Sequence, residues 1–343
     1  MKEKLLTIAI PTYNRSDSLT RLSVEFIGPL LDRLGNKIAV LVCDNSVQQV
    51  AEVNRTAIDA RVEYHWNKQN IGFAGNVREC LLRTKTRYVW LISDDDPVIL
   101  MNFIAAFEQL ESDTDLGCLM LPYLTHGHMG DPIVCNSEAS WKAGELTLSG
   151  LLKTGQLPFT FISSAFIRIR KDQVDKYARE ASENAYAQSI YFIYMLEADF
   201  PIKFAALPVV IYNCDHAHGA ISILSMRRSL CCLRELLDRD FALFKRSEMR
   251  DYQGWLLWMI HHRGGLYNLK DADKERMELL MESKNYISFK TVALVAVILL
   301  PVWLLRPLYL LYRARLDRAP NRGFGVSFRR NLEFTRQIYH ARS

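Results

Sequence analysis

Three short polar clusters contain the side chains of this sequence that are best suited to chemistry: residues 11–15 (PTYNR), 43–46 (CDNS) and 93–96 (SDDD). Consecutive carboxylates such as those of the third cluster repel one another, so they are costly unless a cation compensates them. Mg²⁺ and Mn²⁺ prefer oxygen ligands, and such an ion can also bridge a substrate diphosphate. The third cluster therefore predicts a metal site. The alternative is a solvated acidic turn that caps the following helix.

Apolar strands precede these clusters. Residues 5–11, 38–43 and 88–92 form apolar runs that lead into one cluster each, and residues 203–212 predict a later strand. Helical spacing of apolar residues separates the runs, and this alternation predicts an α/β fold with a mostly parallel sheet. Open sheets of this kind bind ligands at the carboxyl ends of their strands, which favours a binding site over the solvated turn.

The chain divides into three segments by its patterns. Residues 1–222 contain the alternating strands and helices, residues 223–285 have helical periodicity, and residues 286–343 combine an apolar segment with an arginine-rich tail. Residues 287–305 carry Lys290 as their only charge, and this length permits a membrane span. An internal proline suits a kinked or re-entrant hairpin equally well. A buried amphipathic pair of helices in a soluble protein is the alternative.

The basic residues are concentrated at the C-terminus. The formal net charge is +5, yet residues 306–343 hold nine arginines against Asp317 and Glu333, which leaves the remainder of the chain slightly acidic. A basic tail directly after an apolar run is what anionic headgroups attract. We therefore expect peripheral, re-entrant or single-span association with the cytoplasmic face of the inner membrane. Nucleic acid is not an expected partner, because it requires basic residues spread over a groove or face.

Cysteine usage and the N-terminus agree with a cytosolic catalytic or binding part. The seven cysteines include no CxxC pair and lie mostly in apolar runs, which predicts reduced core thiols. No secretory signal is visible in the first residues, which lead directly into the first strand.

Four segments in this order resemble the family 2 glycosyltransferases of GT-A fold: TIAIPTYNR (7–15), VLVCDNS (40–46), NIGFAGN (70–76) and YVWLISDDD (88–96). The resemblance extends over about the first 215 residues. Three aspartates after a small residue are most similar to the abequosyltransferase-like branch, which builds bacterial surface polysaccharides. The resemblance implies a GT-A fold, Rossmann-like with a mostly parallel sheet and flanking helices, followed by a C-terminal helical, membrane-associating region.

The resemblance implies a nucleotide-sugar-binding set. Tyr13 would stack on the base, Pro11 would approach the base through its main chain, and Asp44 would accept a hydrogen bond from a base N–H. Asn76 belongs to the same set. Arg15 is suited to a phosphate, with a surface arginine as the alternative.

The resemblance also implies a metal site for Mg²⁺ or Mn²⁺. Asp95, with Asp96, would coordinate the ion on the diphosphate, and Asp94 would face the ribose or the sugar. Alternating histidines in a later loop, His216 and His218, are suited to provide a third ligand or a proton to the diphosphate. Asp96 is in addition a candidate catalytic residue.

The general base is expected at Glu183. An inverting transferase needs a carboxylate that deprotonates the acceptor hydroxyl. Family members usually carry a Glu-Asp pair before the helix that we predict at residues 185–197, and this chain has Ser-Glu-Asn at residues 182–184. The alternative for Glu183 is an ordinary acidic residue at a helix N-terminus.

These features predict a metal-dependent, inverting glycosyltransferase. It would move a hexosyl or deoxyhexosyl group from a nucleotide diphosphate sugar to a lipid-linked oligosaccharide, in O-antigen, lipopolysaccharide or capsule synthesis. One alternative is a membrane-bound sugar-nucleotide-binding or scaffold protein that has lost its base, although the intact acidic cluster favours an enzyme. A nucleotidyltransferase is less favoured, because PTYNR is not the glycine-rich phosphate loop with which such enzymes usually open.

Overall fold

The structure is a computed structural model, and it describes residues 3–126, 132–135, 161–176, 186–195, 200–212 and 289–301 together with a few isolated residues between 178 and 307. The chain divides into two compact units. The first comprises Met1–His126 with Val134–Cys214, and the second comprises Gly127–Ile133 with Asp215–Ser343. The first unit contains all three polar clusters.

One sheet forms the centre of the first unit. Its described strands are β1 (Leu6–Thr12), β2 (Ile38–Asp44), β3 (Glu63–Trp66), β4 (Tyr88–Leu91), β5 (Cys118–Met120), β8 (Ala165–Arg168) and β9 (Ile202–Phe204), in the order β3–β2–β1–β4–β8–β5–β9. All pairings are parallel except those of β8, which runs antiparallel to both β4 and β5. The α/β fold with a mostly parallel, GT-A-like sheet is therefore confirmed.

Three further short strands lie outside this sheet. They are β6 (Tyr123–His126), β7 (Pro132–Cys135) and β10 (Val210–Tyr212). They form a second sheet in the order β10–β6–β7, in which β6 and β10 pair in parallel. The predicted strand at residues 203–212 is thus two strands, of which only the first joins the main sheet.

The described helices of the first unit are α1 (Ser16–Leu22), α2 (Gly28–Leu34), α3 (Gln48–Ala57), α4 (Gly72–Arg83), α5 (Leu100–Ser112), α6 (Lys171–Val174) and α7 (Ala187–Met195). A π-helical segment, Ser23–Ile27, joins α1 to α2 without a break. The apolar residues Leu19, Leu22 and Phe26 on this continuous helix are buried, because their spacing places them on one face.

An aromatic cluster lies in the core beneath the third polar cluster. Trp90 on β4 is fully buried, and its ring centroid lies 6.0 Å from that of Phe26, 5.2 Å from that of Phe103 and 5.5 Å from that of Phe166. Most of these contacts are edge-to-face, the arrangement that aromatic quadrupoles favour. The strand that precedes the acidic residues is therefore anchored in the core by the aromatic contacts of Trp90.

In the second unit the structure describes one helix, α8 (Phe289–Leu299). Within the described part of the chain, no helix combines the length and the apolar composition that a membrane crossing requires. Almost all of the predicted helical extension at residues 223–285 and the arginine-rich tail lie outside the described residues.

Candidate active site

A cleft of about 300 Å³ lies where β1, β2 and β4 end. Five of the predicted site residues line it: Pro11, Tyr13, Arg15, Asn76 and Asp94. Residues that the sequence analysis did not assign to the site line it as well, among them Thr12, Asn45, Phe73, Ser93 and Ile162. The carboxyl ends of parallel strands thus meet here, as the order of the strands predicts.

The turn after β1 exposes Tyr13 at this cleft. Asn14 adopts a φ of 54°, in the left-handed region that asparagine tolerates better than most residues. Its main-chain N–H donates to Ser46 Oγ at 2.7 Å, and its side-chain oxygen accepts from the Val47 N–H at 3.3 Å. These bonds tie the turn after β1 to the turn after β2. Tyr13 keeps 49% of its surface exposed, which leaves its ring available to a ligand.

One guanidinium nitrogen joins two of the three aspartates. Arg15 Nη1 donates to Asp94 Oδ1 at 3.1 Å and to Asp95 Oδ2 at 2.8 Å. The other oxygen of Asp94 accepts a hydrogen bond of 2.5 Å from Thr12 Oγ1. The Arg15 side chain is 40% exposed, whereas the Asp94 side chain is almost fully buried. Arg15 therefore compensates the acidic cluster from its solvent side.

Burial has the largest effect on the pKa of Asp94. Desolvation raises the pKa of Asp94, and the hydrogen bond from Thr12 and the charge of Arg15 offset only part of this effect. Burial also lowers the pKa of Arg15, but the charges of Asp94 and Asp95 outweigh it and raise that pKa overall. The hydrogen bond from Thr12 and the charge of Arg15 thus both favour the ionised form of Asp94.

Ser163 lies just before β8 and forms hydrogen bonds with the acidic turn at residues 93–96. The sequence analysis did not predict this residue. Its hydroxyl donates to Asp96 Oδ2 at 2.6 Å and accepts from the Ser93 N–H at 3.1 Å, while its carbonyl accepts from Trp90 Nε1 at 3.0 Å. The Ser93 hydroxyl in turn donates to Asp95 Oδ1. The turn is therefore held through hydrogen bonds to a segment about 70 residues away in the sequence.

The acidic cluster fits a divalent cation through two of its members. Asp94 Oδ1 and Asp95 Oδ2 converge on a single point, the Nη1 atom of Arg15, and oxygen donors of this kind suit Mg²⁺ or Mn²⁺. The carboxylate of Asp96 is held instead by Ser163. The pair that shares the Arg15 guanidinium is therefore Asp94 and Asp95, and the expectation that Asp95 and Asp96 hold the metal stays a prediction. Among the described residues, no three His, Cys, Asp or Glu side chains form a metal-ligating group.

Asn76 lines the cleft, but its amide binds the protein's own main chain. Nδ2 donates to the carbonyls of Thr12 at 3.2 Å and Cys43 at 3.0 Å, and Oδ1 accepts from Asn67 Nδ2 at 3.1 Å. Asn67 also donates to Asn45 Oδ1 at 2.8 Å. Asn76 therefore links the ends of β1 and β2 from α4.

Asp44 does not line the cleft, and its expected role as an acceptor for a base N–H stays a prediction. Its side chain is 0% exposed. Oδ1 accepts from the Ser46 N–H at 2.6 Å, and Oδ2 accepts from Asn54 Nδ2 at 2.7 Å and from the Tyr64 hydroxyl at 2.6 Å. Burial, together with the adjacent carboxylate, raises the pKa of Tyr64, so its hydroxyl remains a donor. Both oxygens of Asp44 are thus used within the protein.

Three predicted residues fall outside the described part of the chain. They are the candidate base Glu183 and the candidate ligands His216 and His218. Helix α7 begins at Ala187, close to where the sequence predicts the helix that follows the base.

Comparisons with known proteins identify a matching family model and structures of similar fold. Residues 7–119, about a third of the chain, match the family model described as Glycosyl transferase family 2. No curated protein sequence is significantly similar to the chain.

Solved structures share the fold at low sequence identity. S. aureus TarS 1–349 in complex with UDP-GlcNAc is 14% identical with a TM-score of 0.51, over 86% of this chain and 90% of that one. The mannosyltransferase PcManGT from Pyrobaculum calidifontis, in complex with GDP-Man and Mn²⁺, is 12% identical with a TM-score of 0.52, over 86% and 79%. In another structure of S. aureus TarS the match, at 15% identity and a TM-score of 0.46, covers 85% of this chain and 50% of that longer one.

The structural matches establish the fold, and the family match establishes the kind of domain. That match begins in β1 and ends in β5, so it includes all three polar clusters. Residues 7–119 are therefore a glycosyltransferase family 2 domain, and the protein is a glycosyltransferase.

Proposed function

We propose that the protein transfers a sugar, with inversion, from a nucleotide diphosphate sugar to a hydroxyl of a lipid-linked glycan. One observation carries this proposal: a single cleft is lined by the exposed ring of Tyr13 and by the charged pair Arg15 and Asp94. An aromatic ring suits the face of a nucleotide base. A guanidinium beside carboxylates that share a cation suits a diphosphate.

Arg15 on one side, and Asp94 with Asp95 on the other, would have different roles in binding the diphosphate. Mg²⁺ or Mn²⁺ held by Asp94 and Asp95 would offset the negative charge that develops on the leaving diphosphate. Arg15 Nη1 lies at the point where the two carboxylates converge, so we expect this side chain to move when the cation is bound. Its partial exposure leaves room for that movement, and the released guanidinium can donate two hydrogen bonds to phosphate oxygens.

Glu183 is the proposed base for the acceptor. It would take the proton of the acceptor hydroxyl while that oxygen bonds to the anomeric carbon and the bond from this carbon to the diphosphate breaks. The support is its place in the sequence, four residues before α7 begins. His216 and His218 remain proposed as a third metal ligand or as proton donors to the diphosphate.

The acceptor and its location are proposals from the C-terminal sequence. Apolar residues 287–305 followed by the arginine-rich tail would hold the enzyme at the cytoplasmic face of an anionic inner membrane. Confinement to that surface would raise the effective concentration of a lipid-linked acceptor. Membership of the abequosyltransferase-like branch, and with it a role in O-antigen, lipopolysaccharide or capsule synthesis, is part of the same proposal.

A donor screen tests the reaction directly. Because the two structural neighbours bind a uridine and a guanosine sugar nucleotide, the panel should contain UDP-, GDP-, dTDP- and CDP-sugars. The full chain is assayed for release of the nucleoside diphosphate with and without Mn²⁺, with Asp95→Ala as the control. We expect metal-dependent release from at least one donor and none from the variant. Binding without turnover, also with an acceptor present, would favour the scaffold alternative, and no binding at all would overturn the proposal.

A further inference from the structure

A second large aromatic side chain, Phe73, lines the same cleft as Tyr13. Phe73 is 46% exposed, nearly as much as Tyr13. Among the described residues that line the cleft, these two are the only aromatic ones. Single exposed apolar residues are common on protein surfaces, so the exposure of Phe73 alone would carry no argument. Its occurrence beside another exposed ring, in a cleft that also contains Arg15 and Asp94, requires an explanation.

The main chain in front of Phe73 is held in a defined turn. Gly72 adopts a φ of 74°, which glycine tolerates and other residues rarely adopt. Its N–H donates to Asn70 Oδ1 at 2.9 Å, and its carbonyl accepts from Asn45 Nδ2 at 3.0 Å. A Cβ atom on Gly72 would meet nothing within 4 Å, so the glycine serves the backbone angle and not a close contact. The turn therefore fixes the backbone that carries the exposed ring.

Asn45 connects this turn to the network around Asn76. It accepts from Asn67 Nδ2, which also donates to Asn76 Oδ1, and Asn76 binds the carbonyl of Thr12 next to Tyr13. The backbones that carry the two rings are thus joined by one chain of buried amides. The two aromatic rings are each about half exposed, and their main-chain segments are linked by hydrogen bonds. Such a pair of rings suits a planar ligand with two faces that can stack.

We infer that Phe73 is a second stacking surface for the nucleotide base, so that Tyr13 and Phe73 bind the base together. This inference rests on the proposed function and adds Phe73 to the residues that would bind the donor. Stacking uses the π-face that every base has, and it tolerates different bases. We therefore expect uridine and guanosine diphosphates to depend on Phe73 alike.

The test compares Phe73→Leu with a matched control. Leucine keeps an apolar side chain and removes the ring. Ile71→Ala is the control, because Ile71 is 45% exposed just before the same helix but does not line the cleft. Affinities of the full-length proteins for UDP, GDP and inorganic pyrophosphate are measured by calorimetry with Mn²⁺ present. Thermal unfolding verifies that each variant is folded.

The expected result separates the base from the diphosphate. Phe73→Leu should weaken UDP and GDP binding about tenfold, the effect of losing one stacked aromatic surface, and leave pyrophosphate binding unchanged. Phe73→Trp should retain nucleotide affinity, and Ile71→Ala should bind all three ligands as the wild type does. Unchanged nucleotide affinity in Phe73→Leu, or an equal loss for pyrophosphate, would overturn the inference and leave the proposed function standing. A wild-type protein that binds no nucleotide would overturn the proposed function itself.

Discussion

The guanidinium of Arg15 donates a 2.8 Å hydrogen bond to the carboxylate of Asp95. The same nitrogen lies 3.1 Å from an oxygen of Asp94, so two carboxylates that would hold a divalent cation share the positive charge of one side chain. A metal ion bound at the proposed site would therefore compete with Arg15 for the same oxygens. This competition predicts opposite effects on metal binding and on donor binding when Arg15 is replaced.

Arg15→Gln should bind Mn²⁺ several-fold more tightly than the wild type and should bind a nucleotide diphosphate less tightly. The first effect follows because the competing cation is removed, and the second because a phosphate-binding guanidinium is lost. Free Mn²⁺ is measured by electron paramagnetic resonance, and nucleotide binding by calorimetry. Arg55→Gln, on the exposed side of α3, is the control with the same change in charge. Weaker Mn²⁺ binding by Arg15→Gln would contradict the competition.

Asp95→Asn and Asp96→Asn should differ in metal binding. Asp95 contacts the same nitrogen of Arg15 as Asp94 does, whereas Asp96 accepts a hydrogen bond from Ser163. We therefore expect Asp95→Asn to lose Mn²⁺ binding and to lower turnover at least about a hundredfold, whereas Asp96→Asn retains Mn²⁺. The measurements are a Mn²⁺ titration and the release of nucleoside diphosphate. Loss of Mn²⁺ binding in Asp96→Asn to the same extent would show that Asp96 is a metal ligand as well.

Ser163→Ala should lower the free energy of unfolding by about 1–3 kcal/mol, because Asp96 and the Ser93 N–H lose a buried partner. Turnover should fall about tenfold, since the acidic turn is no longer held in place. Denaturant unfolding and steady-state kinetics measure the two effects. Ser164→Ala is the neighbouring control, because the Ser164 hydroxyl donates to the carbonyl of Phe161 at 2.6 Å. Equal losses of turnover in both variants would indicate a general weakening of the segment.

The sequence predicts the site best where local signals carry the information. β1, β2 and β4 are apolar runs that end in polar clusters, and each of these signals lies within about ten residues. Ser163 has no such signal. It reaches the acidic turn because β8 inserts antiparallel between β4 and β5, and that pairing joins residues far apart in the sequence.

Side-chain environment explains the remaining differences. Asp44 ends a strand as Thr12 does, and the two are partners in the register of β1 and β2. Yet Asn54 on α3 and Tyr64 on β3 supply donors that hold the Asp44 carboxylate inside the protein. The run at residues 203–212 divides between β9 and β10, and in the gap the carbonyl of Pro208 accepts a hydrogen bond from Asn102 of α5. Such tertiary partners cannot be recognised from the local pattern.

Asn76→Asp distinguishes a residue that supports the site from one that touches the donor. The substitution has nearly the same shape, but it replaces an N–H₂ group that donates to two carbonyls by an oxygen that repels them. We expect the free energy of unfolding to fall by roughly 2–4 kcal/mol, because buried acceptors are left without donors.

Asn70→Asp is the matched control for this substitution. Asn70 is exposed, and its side-chain oxygen accepts from the Gly72 N–H, a bond that an aspartate preserves. This variant should therefore keep the stability of the wild type. Denaturant unfolding of the two variants with and without UDP or GDP measures the difference. An Asn76→Asp protein with unchanged stability but weaker nucleotide binding would show that the amide contacts the donor directly, as the resemblance to the family implies. If Asn76→Asp is less stable even without nucleotide, the role of the Asn76 amide is to join the ends of β1 and β2.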